Sequence, residues 1–132
     1  MKKEILIVKN SINEGPGLLE EILKEKKVRY FITELGKREK IPPVENFGAV
    51  VIFGGPASAN DTDEIMESEL EFVRNMLSTK TPYLGICLGL QSLVRAAGGK
   101  VVESLVKEVG LLDPDGNNFT INLTEEGKQS AI

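Results

Sequence analysis

The run Ile5-Leu6-Ile7-Val8 is unbroken and apolar, the pattern of a strand buried on both faces. Beyond the turn residues Asn13 to Gly17, Leu18, Leu19, Ile22 and Leu23 recur at helical spacing. Val28-Arg29-Tyr30-Phe31-Ile32-Thr33 is β-branched and aromatic and predicts a second strand. A polar stretch with Pro42-Pro43 separates it from Ala49-Val50-Val51-Ile52-Phe53, the most apolar run of all, which stops at Gly54-Gly55-Pro56.

Asp61 and Glu64 have capping-box spacing and introduce Met66, Leu70, Val73 and Leu77, one face of a helix. Pro82 to Cys87 reads as a fourth strand. Leu90, Leu93, Val94 and Ala97 should line the helix after it, which ends at Gly98-Gly99. Strands alternating with helices predict an α/β fold: three layers, a mostly parallel sheet with helices on both faces. The last third differs. Lys100 to Glu103 can form a strand, Asp113-Pro114-Asp115-Gly116 is a turn, and Phe119 to Leu123 alternates like a half-exposed strand before Thr124-Glu125-Glu126-Gly127.

Length and charge narrow the classes. A chain of 132 residues is most simply one domain, spanning 1–132, with room for one core. The net charge of -4 and the absence of a Lys/Arg cluster argue against a nucleic-acid surface. Lys24, Lys26 and Lys27 are interleaved with Glu20, Glu21 and Glu25, as on the wet face of a helix. One cysteine excludes an internal disulfide, and neither a signal h-region nor an apolar run of membrane-spanning length is present, so a cytoplasmic protein is expected. No metal site or cofactor is expected: there is no histidine, Asp61 and Asp63 lack a calcium-loop pattern, and Gly15-Pro16-Gly17 lacks the third glycine of a dinucleotide loop. Glu67, Glu69 and Glu71 alternate along a helix and read as solvated surface.

The stretch Gly85-Ile86-Cys87-Leu88-Gly89-Leu90-Gln91 is where chemistry concentrates. A nucleophile at the tip of a sharp strand-to-helix turn is crowded, and glycines two residues either side let the turn close. The following helix aims its first N–H groups and positive dipole end at the sulfur, and the N–H of Leu88 is placed to stabilise an oxyanion. Gly54-Gly55-Pro56 ends the neighbouring core strand and should lie beside this elbow, offering further backbone N–H groups. The bland alternatives are a cysteine packed as a small hydrophobe and an ordinary strand-ending turn. A phosphate loop is disfavoured, because no Gly-Lys-Ser/Thr follows.

Together, Gly85 to Gln91 and Gly54-Gly55-Pro56 resemble the class I (triad-type) glutamine amidotransferases. The segment Gly54 to Asp63 most resembles the stand-alone group related to the glutaminase domain of GMP synthase, and Lys107 to Gly110 and Leu123 to Gly127 also match that group. The resemblance implies hydrolysis of the glutamine side-chain amide through a γ-glutamyl thioester, with ammonia passed to a synthetase domain or subunit. It implies Cys87 as nucleophile, Gly55 and Leu88 as oxyanion donors, and Gly54, Pro56 and Gln91 as parts of the glutamine pocket.

Members of that family carry a His-x-Glu pair well beyond the elbow, and these residues contain none. The chain is therefore expected to be the N-terminal portion of a longer domain, inactive by itself; a natural short form without catalysis is the other explanation. Two rival readings stand beside it. Intracellular-protease and deglycase-like cysteine hydrolases share the fold and the elbow, but place His where Leu88 stands here. A non-catalytic flavodoxin-like binding or regulatory module would leave Cys87 merely packed.

Overall fold

The computed structural model describes residues 3–130. It divides into two compact units, the first ending at Val101 and the second beginning at Val102. The first holds the strands β1 (Glu4–Lys9), β2 (Tyr30–Glu34), β3 (Phe47–Ile52) and β4 (Tyr83–Gly85), and the helices α1 (Leu18–Glu25), α2 (Glu64–Thr79) and α3 (Leu88–Ala96). The sheet order is β2-β1-β3-β4, and every neighbouring pair is parallel.

The apolar runs explain this order. Leu6, Ile7 and Val8 are all fully buried, so both faces of β1 are covered, as expected of a central parallel strand. Leu6 and Val8 stand in register with Val50 and Ile52, and these four share a core with Phe72, Val73 and Met76 of α2. Ile7 and Val51, of opposite parity, are buried on the other face. The chain leaves β1 sideways to β2 but runs from β3 to β4 in the opposite direction. Right-handed crossovers then put α1 and α2 on opposite faces. The three-layer expectation holds. Reversal of direction between β1 and β3 also makes their C-terminal ends a topological switch point, where open α/β sheets bind ligands.

Several local expectations are corrected. The cap of α2 is Asp63, not Asp61: its Oδ1 accepts from the N–H groups of Ile65 and Met66, while Asp61 accepts from Ser58 N–H in the preceding loop. On α2, Met66, Leu70 and Val73 are buried as expected, but Leu77 is exposed and Met76 takes its place. On α3 the fully buried positions are Leu88, Gly89 and Ser92; Leu93 and Val94 are partly buried as expected, Leu93 against the core, while Leu90 is exposed and Ala97 is the C-cap. The elbow, rather than the apolar spacing, decides how this helix is rotated. Its end is as expected: Gly99 N–H reaches Val94 carbonyl and Gly98 N–H reaches Arg95 carbonyl, a Schellman closure.

Lys100 to Glu103 and Phe119 to Leu123 are not strands. Alternation makes a strand only where a neighbour offers N–H and C=O groups. Within the second unit the described pairing is one isolated antiparallel bridge, Leu112 with Asn118, across the expected Asp113 to Gly116 turn. Asp113 accepts from the N–H groups of Asn117, chiefly, and Asp115, which holds its carboxyl below the usual range. A short helix α4 (Glu125–Lys128) follows, capped by Thr124 accepting from Gly127 N–H. Leu105, Leu111 and Ile121 are largely exposed.

Candidate active site

The C-terminal ends of β1, β3 and β4 converge on Cys87. This residue is exposed, follows β4 by one residue past Ile86, and is the N-cap of α3. Its backbone, at φ 53° and ψ -110°, lies where side-chain-bearing residues are rarely found. The turn is held by Ile86 N–H donating to Ile52 carbonyl at 2.9 Å and Gly89 N–H donating to Ile86 carbonyl at 3.0 Å.

Both flanking glycines are sterically required. A Cβ on Gly85 would lie 2.6 Å from the backbone carbon of Gly89, and one on Gly89 would lie 2.2 Å from the Ile52 carbonyl oxygen. These are well inside contact distance, so only glycine lets α3 start this close to β3 and β4. The expected elbow geometry is present.

The glycine turn after β3 stands beside it. A Cβ on Gly54 would meet the Cβ and Sγ of Cys87, and one on Gly55 would meet Asn10, the residue after β1. Gly54, Gly55 and Cys87 are thus brought together. Leu88 buries its side chain and contributes the first N–H of α3, at the end where helix N–H groups lack intrahelical partners. Gln91, one turn on, is exposed, and its N–H bonds the Cys87 carbonyl. Pro56 is exposed at the bend that follows the glycines.

Beneath the elbow lies a polar cluster that the sequence reading missed. Glu69 of α2 was expected on the solvated face, yet it is 0% exposed, while Glu67 and Glu71 are exposed. Its Oε2 accepts from Asn10 Nδ2 at 2.7 Å and its Oε1 accepts from the Ser92 hydroxyl. Asn10 Nδ2 also donates to the Phe53 carbonyl at 3.2 Å. Burial pushes the Glu69 carboxyl above its ordinary value, and its two donors only partly offset that. Tyr83 of β4 donates its hydroxyl to the Gly89 carbonyl at 2.6 Å; burial, then the nearby Glu69 charge, drives its pKa upward. Helical spacing carried the signal: Glu69 falls three residues after Met66 and four before Val73, on the buried stripe.

At the C-terminal end of β1, on the side facing β2, Lys9 is mostly buried and donates to Glu34 at 2.5 Å, and Lys37 pairs with the same carboxylate. These partners, Lys37 first, hold the Glu34 carboxyl below its usual range. A cavity of about 660 Å³ lies apart from the cysteine, between α2 and the segment joining β2 to β3. Its rim mixes Arg38, Lys40, Glu45 and Glu64, and none of the elbow residues lines it. Among the described residues, no group of three or more His, Cys, Asp or Glu side chains could hold a metal ion, and no helix is long and apolar enough to cross a membrane.

Comparison with known proteins identifies the family and the fold. The family described as glutamine amidotransferase class-I matches residues 18–128. A glutamine amidotransferase-like protein of Salmonella typhimurium, YfeJ, is 33% identical over 95 residues, covering 67% of this chain and 37% of that protein. One subunit of the glutamine-hydrolysing GMP synthase of Saccharolobus solfataricus is 33% identical over 92 residues, covering 65% of this chain and 46% of its own length. The crystal structure of a glutamine amidotransferase from Methylobacillus flagellatus superposes with a TM-score of 0.77 at 30% identity, over 83% of this chain and 45% of that one. The chain therefore spans less than half the length of these relatives. With a matched family profile, a parallel sheet of the same fold and a glycine-flanked cysteine at its carboxyl edge, this chain belongs to the class-I glutamine amidotransferases.

Proposed function

We propose that the protein hydrolyses the side-chain amide of glutamine at Cys87 and passes the ammonia to a synthetase domain or subunit. The observation that carries this reading is the exposed Cys87 at a positive-φ helix N-cap, packed against Gly54. In this reaction the Cys87 sulfur attacks the amide carbon of glutamine and the carbonyl oxygen becomes an oxyanion. The backbone N–H groups of Gly55 and Leu88 receive that charge, which a preorganised pair of donors stabilises far better than water does. Collapse breaks the C–N bond, ammonia leaves with an added proton, and a γ-glutamyl thioester remains. Water then cleaves the thioester to glutamate and restores the thiol. In this reading Gly54, Pro56 and Gln91 contribute to the glutamine pocket, as the family resemblance implies.

The leaving amine needs a proton, and these 132 residues contain no histidine to deliver it. The family's His-x-Glu pair would supply it. These residues by themselves accordingly bind and attack glutamine without turning it over. The names of the GMP synthase relatives favour a synthetase as the ammonia acceptor.

The test is alkylation with a glutamine-like diazo-ketone, read by intact mass and peptide mapping. One adduct on Cys87, suppressed by glutamine, supports the reading. Labelling that glutamine does not suppress, or no labelling, overturns it and favours a flavodoxin-like binding module.

A further inference from the structure

Glu69 has no part in that reaction, yet it occupies a place where an aliphatic residue would be expected. Its neighbours on the same stripe of α2 are Met66, Leu70, Val73 and Met76, all buried. Burying a carboxylate is costly, and replacing such a group by an apolar one of similar size is often neutral or favourable for stability. Hydrophobic contact, however, has no direction, whereas hydrogen bonds hold their partners at set distances and angles. What Glu69 holds is informative. Asn10 follows β1, donates to the carbonyl of Phe53, and lies so close to Gly55 that a Cβ there would come within 2.6 Å of its own Cβ. Phe53 is the residue immediately before Gly54. Ser92 lies on α3, one helical turn beyond Leu88.

We infer that Glu69 is a positioning residue for the cysteine site, its carboxylate clamping Asn10 and Ser92 so that the glycine turn after β3 keeps its place against the elbow helix. The inference rests on the reading of Cys87 as the glutamine-attacking group. One oxygen is engaged by Asn10 and the other by Ser92, so the carboxylate acts through these neighbours and not on substrate. The clamp thereby sets the spacing between two groups that no covalent segment fixes directly: the N–H of Gly55 and the N–H of Leu88. An oxyanion site depends on that spacing, since donors help only within hydrogen-bond reach of the developing charge.

The experiment compares two alkylating agents on Cys87, the only cysteine, in the intact protein. Iodoacetamide reports sulfur exposure alone; the glutamine-like diazo-ketone also needs the pocket and its N–H donors. In Ser92→Ala and Glu69→Leu, glutamine-protected diazo-ketone labelling should slow about tenfold, the equivalent of one strong buried hydrogen bond. Iodoacetamide labelling should change less than about twofold. Glu69→Gln should retain the diazo-ketone rate, because a carboxamide can accept from Asn10 and donate to the Ser92 oxygen. Wild-type diazo-ketone rates in Ser92→Ala, or a loss in Glu69→Gln as large as in Glu69→Leu, would overturn the clamp. Should Glu69→Leu fail to fold, Ser92→Ala, which removes one hydroxyl, carries the comparison.

If the wild-type protein shows no glutamine-protected labelling, the glutaminase reading has failed, and amide NMR judges the clamp separately. Ser92→Ala should then shift the Gly54 and Gly55 amides across the network. Shifts confined to α3 would overturn it.

Discussion

A Cβ placed on Gly54 would stand 3.1 Å from the Cβ of Cys87 and 3.6 Å from its Sγ. A methyl at Gly54 would thus press on the Cys87 Cβ and come into van der Waals contact with its sulfur. Gly54→Ala should leave the fold intact, because the clash is with a side chain, and should slow diazo-ketone labelling of Cys87. Gly89→Ala is harsher: its Cβ would fall 2.2 Å from the Ile52 carbonyl oxygen, a backbone atom. Urea unfolding should show a loss of about 2 kcal/mol or more, since α3 must move off the sheet. Equal stabilities for the two variants would contradict this account.

Cys87 carries the strain of its own display. At φ 53° and ψ -110° a side chain costs about 1–3 kcal/mol, which glycine avoids at the smaller expense of a freer unfolded chain. Cys87→Gly is therefore expected to raise stability by about 1 kcal/mol while abolishing thiol chemistry. A thermal melt of the two proteins decides it, and a lower Tm for the variant would rule out stored strain.

Glu69 should make stability depend on pH in a stated direction. Burial raises its folded pKa above the ordinary 4.5, so the folded state holds the proton more tightly than the unfolded one. Its contribution is fully present below 4.5 and is lost as pH rises through the raised value. The groups facing it are the uncharged donors Asn10 and Ser92 and the phenol of Tyr83, which stays protonated across that range. Glu69→Gln removes the titration, so its stability relative to the wild type should climb as pH rises above 4.5 and through the raised value. A difference that stays flat over that range would show that the carboxyl is not desolvated.

The cap of α2 offers a plain comparison. Asp63 accepts from the Ile65 N–H at 2.9 Å and the Met66 N–H at 3.0 Å. Asp63→Ala should cost about 1 kcal/mol, the usual value of an N-cap. Asp61→Ala, which removes only a bond to Ser58 N–H, should cost less in the same unfolding assay.

Much of the architecture was legible along the chain because it rests on local rules. Unbroken apolar runs marked β1 and β3, periodic ones marked α2, and alternation of the two types implied the parallel sheet now seen in β2-β1-β3-β4. The elbow was legible too, since Gly-x-Cys-x-Gly states a steric need that Gly85 and Gly89 meet by their distances. Extended-looking segments at 100–103 and 119–123 were misread, because a strand is a property of a pair and the partner is not written in its own residues. Rotation of α3, the choice of Asp63 over Asp61 and the burial of Glu69 were likewise decided in three dimensions. Chain order says which side chains a helix carries; only packing against β1, β3 and α3 decides that a glutamate on the inner stripe meets an asparagine 59 positions away.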